Sequence, residues 1–201
     1  MTIRVLGLDP GTATFGWGLV ESGGERPRHL GHGVIATSAA LDLGQRLLKI
    51  QDELRQIVER ERPDRIALER IFAQGNVQSA VAVAAARGAA LMVAAECGLD
   101  TVEATPSEMK RAIAGDGRAA KGAVARAVAR LLGLDRAPHP DDAADALALA
   151  IWGGGAVRAA VGAGSARLDR SAASAAAGES GYDRAVRKRS EEHTSELQSP
   201  Y

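Results

Sequence analysis

A chain of 201 residues suits one domain with room left for a tail. Its 25 basic and 25 acidic side chains cancel, which excludes a global field drawing in a polyanion and leaves any nucleic-acid contact to local patches. Hydrophobic residues make up 46% of the chain but aromatic residues only 3%, so the core closes on small side chains rather than on rings.

Residues 3–8 are an apolar run stopped by Asp9-Pro10-Gly11 and read as a buried strand. The chain enters this strand without the basic stretch and apolar core of a signal peptide. Residues 16–20 and 31–37 are two further strands, parted by the Gly/Pro/Arg turn at 23–28, and three early strands in succession predict an antiparallel meander. The period then changes: Leu47, Ile50, Leu54, Ile57 and Val58 fall at helical spacing within 41–62. Pro63-Asp64 ends that helix, and 65–69 is the next strand. An alanine-rich helix starts at Asn76 or Ser79 and closes near Gly98. Its apolar stretch, 80–95, is interrupted by Arg87 and is too weak for a membrane span. Cys97 is the one cysteine, so no internal disulfide is possible; it fits a reducing cytoplasm and a small buried hydrophobe. Residues 101–104 form a short strand, and Thr105-Pro106-Ser107-Glu108 opens a capped helix. Gly115-Asp116-Gly117 breaks it, and helices over 119–132 and 140–152 follow.

The expected fold is α/β, a mixed sheet of three antiparallel strands followed by parallel strands, flanked by helices. It fills one domain over 1–155. Residues 156–201 turn Ala/Gly/Ser/Arg-rich without sustained period and are expected to be a disordered tail. The last stretch, RSEEHTSELQSPY at 189–201, resembles a translated sequencing-adapter peptide and is expected to be non-native.

Four acids stand where this fold can gather them. Asp9 ends the first apolar run in LGLDPGT, Glu69 ends another in RIALE, and Asp142 and Asp145 lie three apart in DDAADALALA. An acid at a strand's carboxyl end is costly to desolvate unless a cation or a proton compensates it. Grouped carboxylates repel one another unless a divalent ion sits between them. Helical spacing places Asp142 and Asp145 on one face, about 5–6 Å apart at Cβ. Oxygen-only ligands favour Mg²⁺ or Mn²⁺ over zinc. Two such ions about 3.5–4 Å apart can activate water and stabilise the leaving oxygen of an in-line displacement, which points to chemistry on phosphate esters. Taken singly, Asp141 and Asp142 also suit a helix start, where the dipole favours acids. That reading explains Asp145 less well, and Glu69 at the end of an apolar run hardly at all. Lys110 and Lys121 are two of the chain's four lysines and lie in a basic stretch with Arg111, Arg118, Arg126 and Arg130. That stretch is either a solvated helix face or a set of phosphate contacts that position DNA without reading sequence. His139, before Pro140, reads as a loop residue.

LGLDPGTATFGWGLV, IALERIFAQGN, the AARG segment and DDAADALALAI, in that order across 3–152, together resemble the RuvC family of Holliday junction resolvases. The resemblance implies a ribonuclease-H-like fold, a homodimer and a cytoplasmic endonuclease. Such an enzyme resolves four-way DNA junctions by symmetric, metal-dependent nicking of two strands in homologous recombination and repair, leaving 5′-phosphates. By matching motif, Asp9, Glu69, Asp142 and Asp145 become the catalytic and metal-binding acids, holding two Mg²⁺ or Mn²⁺. Asp141 fits the pattern less well. Lys110 and Lys121 match basic positions near the scissile phosphate, with Arg111 and Arg118 beside them as DNA contacts. Phe72, three after Glu69, matches an aromatic wedge at the junction centre; it also reads as an ordinary core or surface aromatic. Ala85 stands where relatives often carry glutamine. The implied partners are four-way junction DNA, a second copy of the chain and the RuvA–RuvB branch-migration complex, with no membrane.

Other readings use some of the same residues. A YqgF-type RNA-processing nuclease of the same fold would share Asp9 and the late acid, but not IALERIF together with the paired aspartates. An actin-like ATPase or kinase would use DPGT as a phosphate loop, yet needs a second loop and a longer chain; GDGRAAKG has the wrong spacing for a P-loop. A non-catalytic junction-binding module would tolerate replacement of the acids.

Overall fold

Alternation along the first two strands sends bulky side chains to one face of the sheet and glycines to the other. The computed structural model describes residues 2–70 and 77–163. Strands β1 (Ile3–Asp9), β2 (Thr14–Ser22) and β3 (Arg28–Ala36) form the expected antiparallel meander. Strands β4 (Arg65–Glu69) and β5 (Asp100–Ala104) join it in parallel, giving the order β3-β2-β1-β4-β5. The helices are α1 (Leu43–Glu61), α2 (Val77–Glu96), α3 (Pro106–Ala114), α4 (Lys121–Leu132) and α5 (Asp141–Ala163).

On the bulky face, Leu6, Leu8, Phe15, Leu19, Ile66 and Leu68 pack against Ile50, Leu54, Ile57 and Val58 of α1 and against the alanines of α2. Cys97 is buried in this layer. On the other face, Val5, Val20, Ala67 and Ala104 meet Met109, Ile113, Val124 and Val128 of α3 and α4, and Leu147 and Ala148 of α5. Two capping boxes set the helix starts: Asp42 with Gln45 at α1, and Thr105 with Glu108 at α3, where Pro106 supplies the first turn. Among the described residues no helix is long and apolar enough to cross a membrane.

The glycines of the second face determine how closely α5 can lie. A Cβ added at Gly7 would stand 2.6 Å from the Ala150 backbone nitrogen, one at Gly16 would stand 2.5 Å from the Asp142 carbonyl carbon, and one at Gly18 2.8 Å from the Leu147 nitrogen. The helix backbone therefore rests directly on β1 and β2, with no side-chain layer between. This contact carries the start of α5 to the carboxyl end of β1.

The last helix differs from its expected extent. Instead of stopping at 152 it continues through Gly153-Gly154-Gly155 to Ala163, past the position where the domain was expected to end. A glycine run weakens a helix by about 1 kcal/mol per residue, but here it serves packing. A Cβ at Gly153 would lie 2.8 Å from Ala67 Cβ and 3.0 Å from Val5 Cγ1, and Gly154 faces the side chain of Ser22. Tertiary contact thus overrides the local signal. Residues 156–163, expected to begin a disordered tail, are the last turns of this helix; Phe72 and residues 164–201 lie outside the described residues.

Gly7→Ala should cost at least about 1–3 kcal/mol, because a backbone cannot yield as a side chain can. Gly155→Ala, with nothing within 4 Å of its new methyl, should instead gain about 0.5–1 kcal/mol from helix propensity. Urea midpoints of the two variants against the parent check this; a tolerated Gly7→Ala would refute the backbone contact.

Candidate active site

Parallel pairing places Leu8 opposite Leu68, so Asp9 and Glu69, one residue further along each strand, emerge side by side on the face that α5 covers. Gly16 is the β2 partner of Asp9, and the backbone of Asp142 rests on it. The hydroxyl of Thr14 donates to Asp142 Oδ2 at 2.6 Å. From the start of α4, Lys121 Nζ reaches Asp145 Oδ2 at 2.9 Å and Asp141 Oδ2 at 3.7 Å.

The electrostatics register this crowding. Burial, then the charges of Asp145, Asp142 and Glu69, push Asp9 from 3.8 up to about 7, with Lys121 opposing. Glu69 is also raised, first by burial and then by Asp145, while Lys110 pulls the other way. Lys121 is held above the ordinary lysine range, chiefly by its hydrogen bond to Asp145. The four acids named from the sequence are thus within one another's fields, although they come from β1, β4 and α5.

The remaining candidates divide. Lys121 pairs directly with the acids, and Lys110 acts on Glu69 through space. Arg111, in the last turn of α3, and Arg118 are exposed and form no ion pair with the four acids. The Arg118 backbone nitrogen instead closes a turn on Asp116 Oδ1 at 2.9 Å. Asp141 is exposed at the rim, and His139 is exposed in the connection ahead of α5. Phe72 lies outside the described residues. Sequence reasoning missed Thr14. Period-two alternation from Gly16 puts Thr14 on the α5 face at the start of β2, which is the signal that would have found it.

Among the described residues no three His, Cys, Asp or Glu side chains already stand as a metal-holding group, because Asp145 turns to Lys121 and Asp142 to Thr14. The donor chemistry nonetheless fits a hard divalent cation. These are oxygen-only groups, and their repulsion is relieved by a proton on Asp9 and by one lysine. A cation could replace both.

Asp9 takes up its proton at about 7 in the fold but at 3.8 in the reference state. The stability linked to it is therefore full below 3.8 and is lost as pH rises through about 7. In buffer lacking divalent metal, Asp9→Asn should melt above the parent at pH 8 by at least about 2–4 °C, the shift expected for one kcal/mol in a domain of this size. The gap should close toward pH 4. Added Mg²⁺ or Mn²⁺ should raise the parent's melting temperature and leave the variant's nearly unchanged. Parallel melting curves at all pH values would overturn this account of Asp9.

The family model described as crossover junction endodeoxyribonuclease RuvC matches residues 5–152. The chain is 48% identical over 149 residues to the crossover junction endodeoxyribonuclease RuvC of Thermomicrobium roseum, spanning 74% of this chain and 91% of that one. To the Cutibacterium acnes protein of the same name it is 49% identical over 159 residues, spanning 77% and 81%. Its structure is similar to Thermus thermophilus RuvC solved in complex with a Holliday junction substrate. There the TM-score is 0.75 and the identity 35%, over 79% of this chain and 96% of that one. The yeast mitochondrial Holliday junction resolvase Ydc2 shares the fold at 14% identity, with TM-score 0.55 over 74% of this chain and 76% of that one. Because the sequence matches run through all three segments that carry the acids, the chain belongs to the RuvC family of crossover junction endodeoxyribonucleases.

Proposed function

We propose that this protein resolves Holliday junctions by nicking two symmetric strands in a metal-dependent reaction, serving homologous recombination and DNA repair. The observation that carries this reading is the convergence of Asp9, Glu69, Asp142 and Asp145, where burial first and the neighbouring carboxylates second push Asp9 up to about 7. These acids are the residues that would hold Mg²⁺, or Mn²⁺ in its place, two per site. When bound there, the metal supplies the charge that activates water and stabilises the leaving 3′-oxygen.

The chain's own residues do the positioning. Asp9 and Glu69 stand on adjacent strand ends, and Thr14 fixes the rotamer of Asp142. Lys121, whose side chain is 52% exposed, offsets charge developing on the scissile phosphate. Lys110, Arg111 and Arg118 contact phosphates and set the register of the DNA without reading bases. Phe72 is assigned the junction wedge on the family pattern. Products with 5′-phosphate and 3′-hydroxyl ends can be rejoined by a ligase. A two-fold junction calls for two sites, hence a homodimer. The nuclease domain is assigned to residues 1–163, which keeps α5 whole; the working compartment is the cytoplasm, and RuvA–RuvB is the partner machine.

A synthetic mobile four-way junction and a matched linear duplex, each with Mg²⁺, test the proposal. Paired, symmetric nicks should appear in the junction alone. Asp9→Asn should lower the rate by at least about 10²–10³-fold, the scale on which loss of one group that stabilises transition-state charge is felt. Equal cutting of the linear duplex, or an unimpaired variant, would refute it.

A further inference from the structure

β4 ends at Glu69, and the residue that follows it carries the opposite charge and faces the other way. Glu69 turns to the α5 face; Arg70, the next residue, turns to the α2 face, where its Nε stands 3.8 Å from Glu103 Oε2 on β5. The other oxygen of Glu103 accepts a hydrogen bond from Arg87 Nη2 on α2. The Arg87 side chain is only 15% exposed, against 52% for Arg70. Its Nε is buried with no hydrogen-bond partner among the described residues. A guanidinium has therefore been taken out of water to hold one carboxylate, with one of its own donors unsatisfied. Ion pairs of that kind contribute little net stability, so the arrangement calls for a reason other than stability.

The backbone indicates what that reason is. β4 is only five residues long and Glu69 is its last. The Arg70 nitrogen donates to the Ala104 carbonyl at 2.7 Å, and Leu68 lies opposite Glu103 in the β4–β5 pairing. Strand ends open most readily, and this one carries an acid that Asp9 and Asp145 repel. Something must hold it in place.

We infer that Arg87, Glu103 and Arg70 are positioning residues: they clamp the carboxyl end of β4 to β5 and α2, so that Glu69 stays directed at Asp9 and Asp145. The inference rests on the proposed reading of Glu69 as a metal-binding acid. It also gives the arginine of the AARG segment a role on the face of the sheet away from the chemistry.

The test measures Mn²⁺ binding by the full chain without DNA, from the electron paramagnetic resonance signal of unbound Mn²⁺. Glu103→Gln, and the milder Arg70→Gln at a half-exposed position, should weaken Mn²⁺ binding by about 10–100-fold, as expected when a group supporting a ligand is lost. Junction cleavage at limiting Mn²⁺ should fall and should recover at saturating Mn²⁺. Arg87→Lys should restore part of the affinity that Arg87→Gln loses. Unchanged Mn²⁺ affinity in folded Glu103→Gln and Arg70→Gln, with or without a lower melting temperature, would reduce the cluster to an ordinary structural pair. Glu69→Gln separates the two possible failures. If it binds Mn²⁺ like the parent, the ligand reading falls and this inference falls with it. If it loses Mn²⁺ while the clamp variants keep it, the positioning role alone is wrong.

Discussion

The rest of this structure depends on the contact between the backbone of α5 and the glycines of β1 and β2. Gly7, Gly16 and Gly18 leave no side chain between helix and sheet, and the buried face of α5 answers with Ala143, Ala146 and Ala150. Small residues on both sides turn an ordinary layered packing into direct apposition. Only at this separation can Asp142 and Asp145 reach the neighbourhood of Asp9 and Glu69.

Packing of this kind works against electrostatics. Apolar burial and close helix approach bring four carboxylates together, and their repulsion is relieved by a proton on Asp9 and by Lys121 on Asp145. Crowding of this kind lowers the stability of the fold, a compromise common where function needs charge in a confined space. The pairings of Lys121 with Asp145 and of Thr14 with Asp142 keep the acids ordered without closing them into a ligand set.

The two faces of the sheet divide the work. The α1–α2 face is filled by leucine, isoleucine and phenylalanine and supplies the bulk of the large core residues. The α3–α5 face is closed largely by small residues and carries the acids. At the carboxyl end of β4 the two are linked, because Arg70 on one face and Glu69 on the other share one strand end. The ion cluster of Arg70, Glu103 and Arg87 lies on the face opposite the acids.

Much of this was legible in the sequence because it is local. Apolar runs, turn and cap signals and, for α1, helical spacing located the five strands and five helices of the described residues. Apolar runs ending in Asp9 and Glu69 marked the acids, and the three-residue spacing of Asp142 and Asp145 put both on one helix face. The errors arose where a local signal had a distant cause. Gly153-Gly154-Gly155 looked like a break and is a packing surface against Ala67, Val5 and Ser22. Thr14 gave no sign of its partner, which lies 128 residues away in the chain. The exposed position of Asp141, the choice of Asp145 as the closer partner of Lys121, and the pairing of Arg87 with Glu103 of β5 were likewise decided only by the tertiary structure. Spacing along a chain records which face of its own element a residue occupies. Which charge it then meets depends on how closely two elements approach, and here glycine and alanine set that distance.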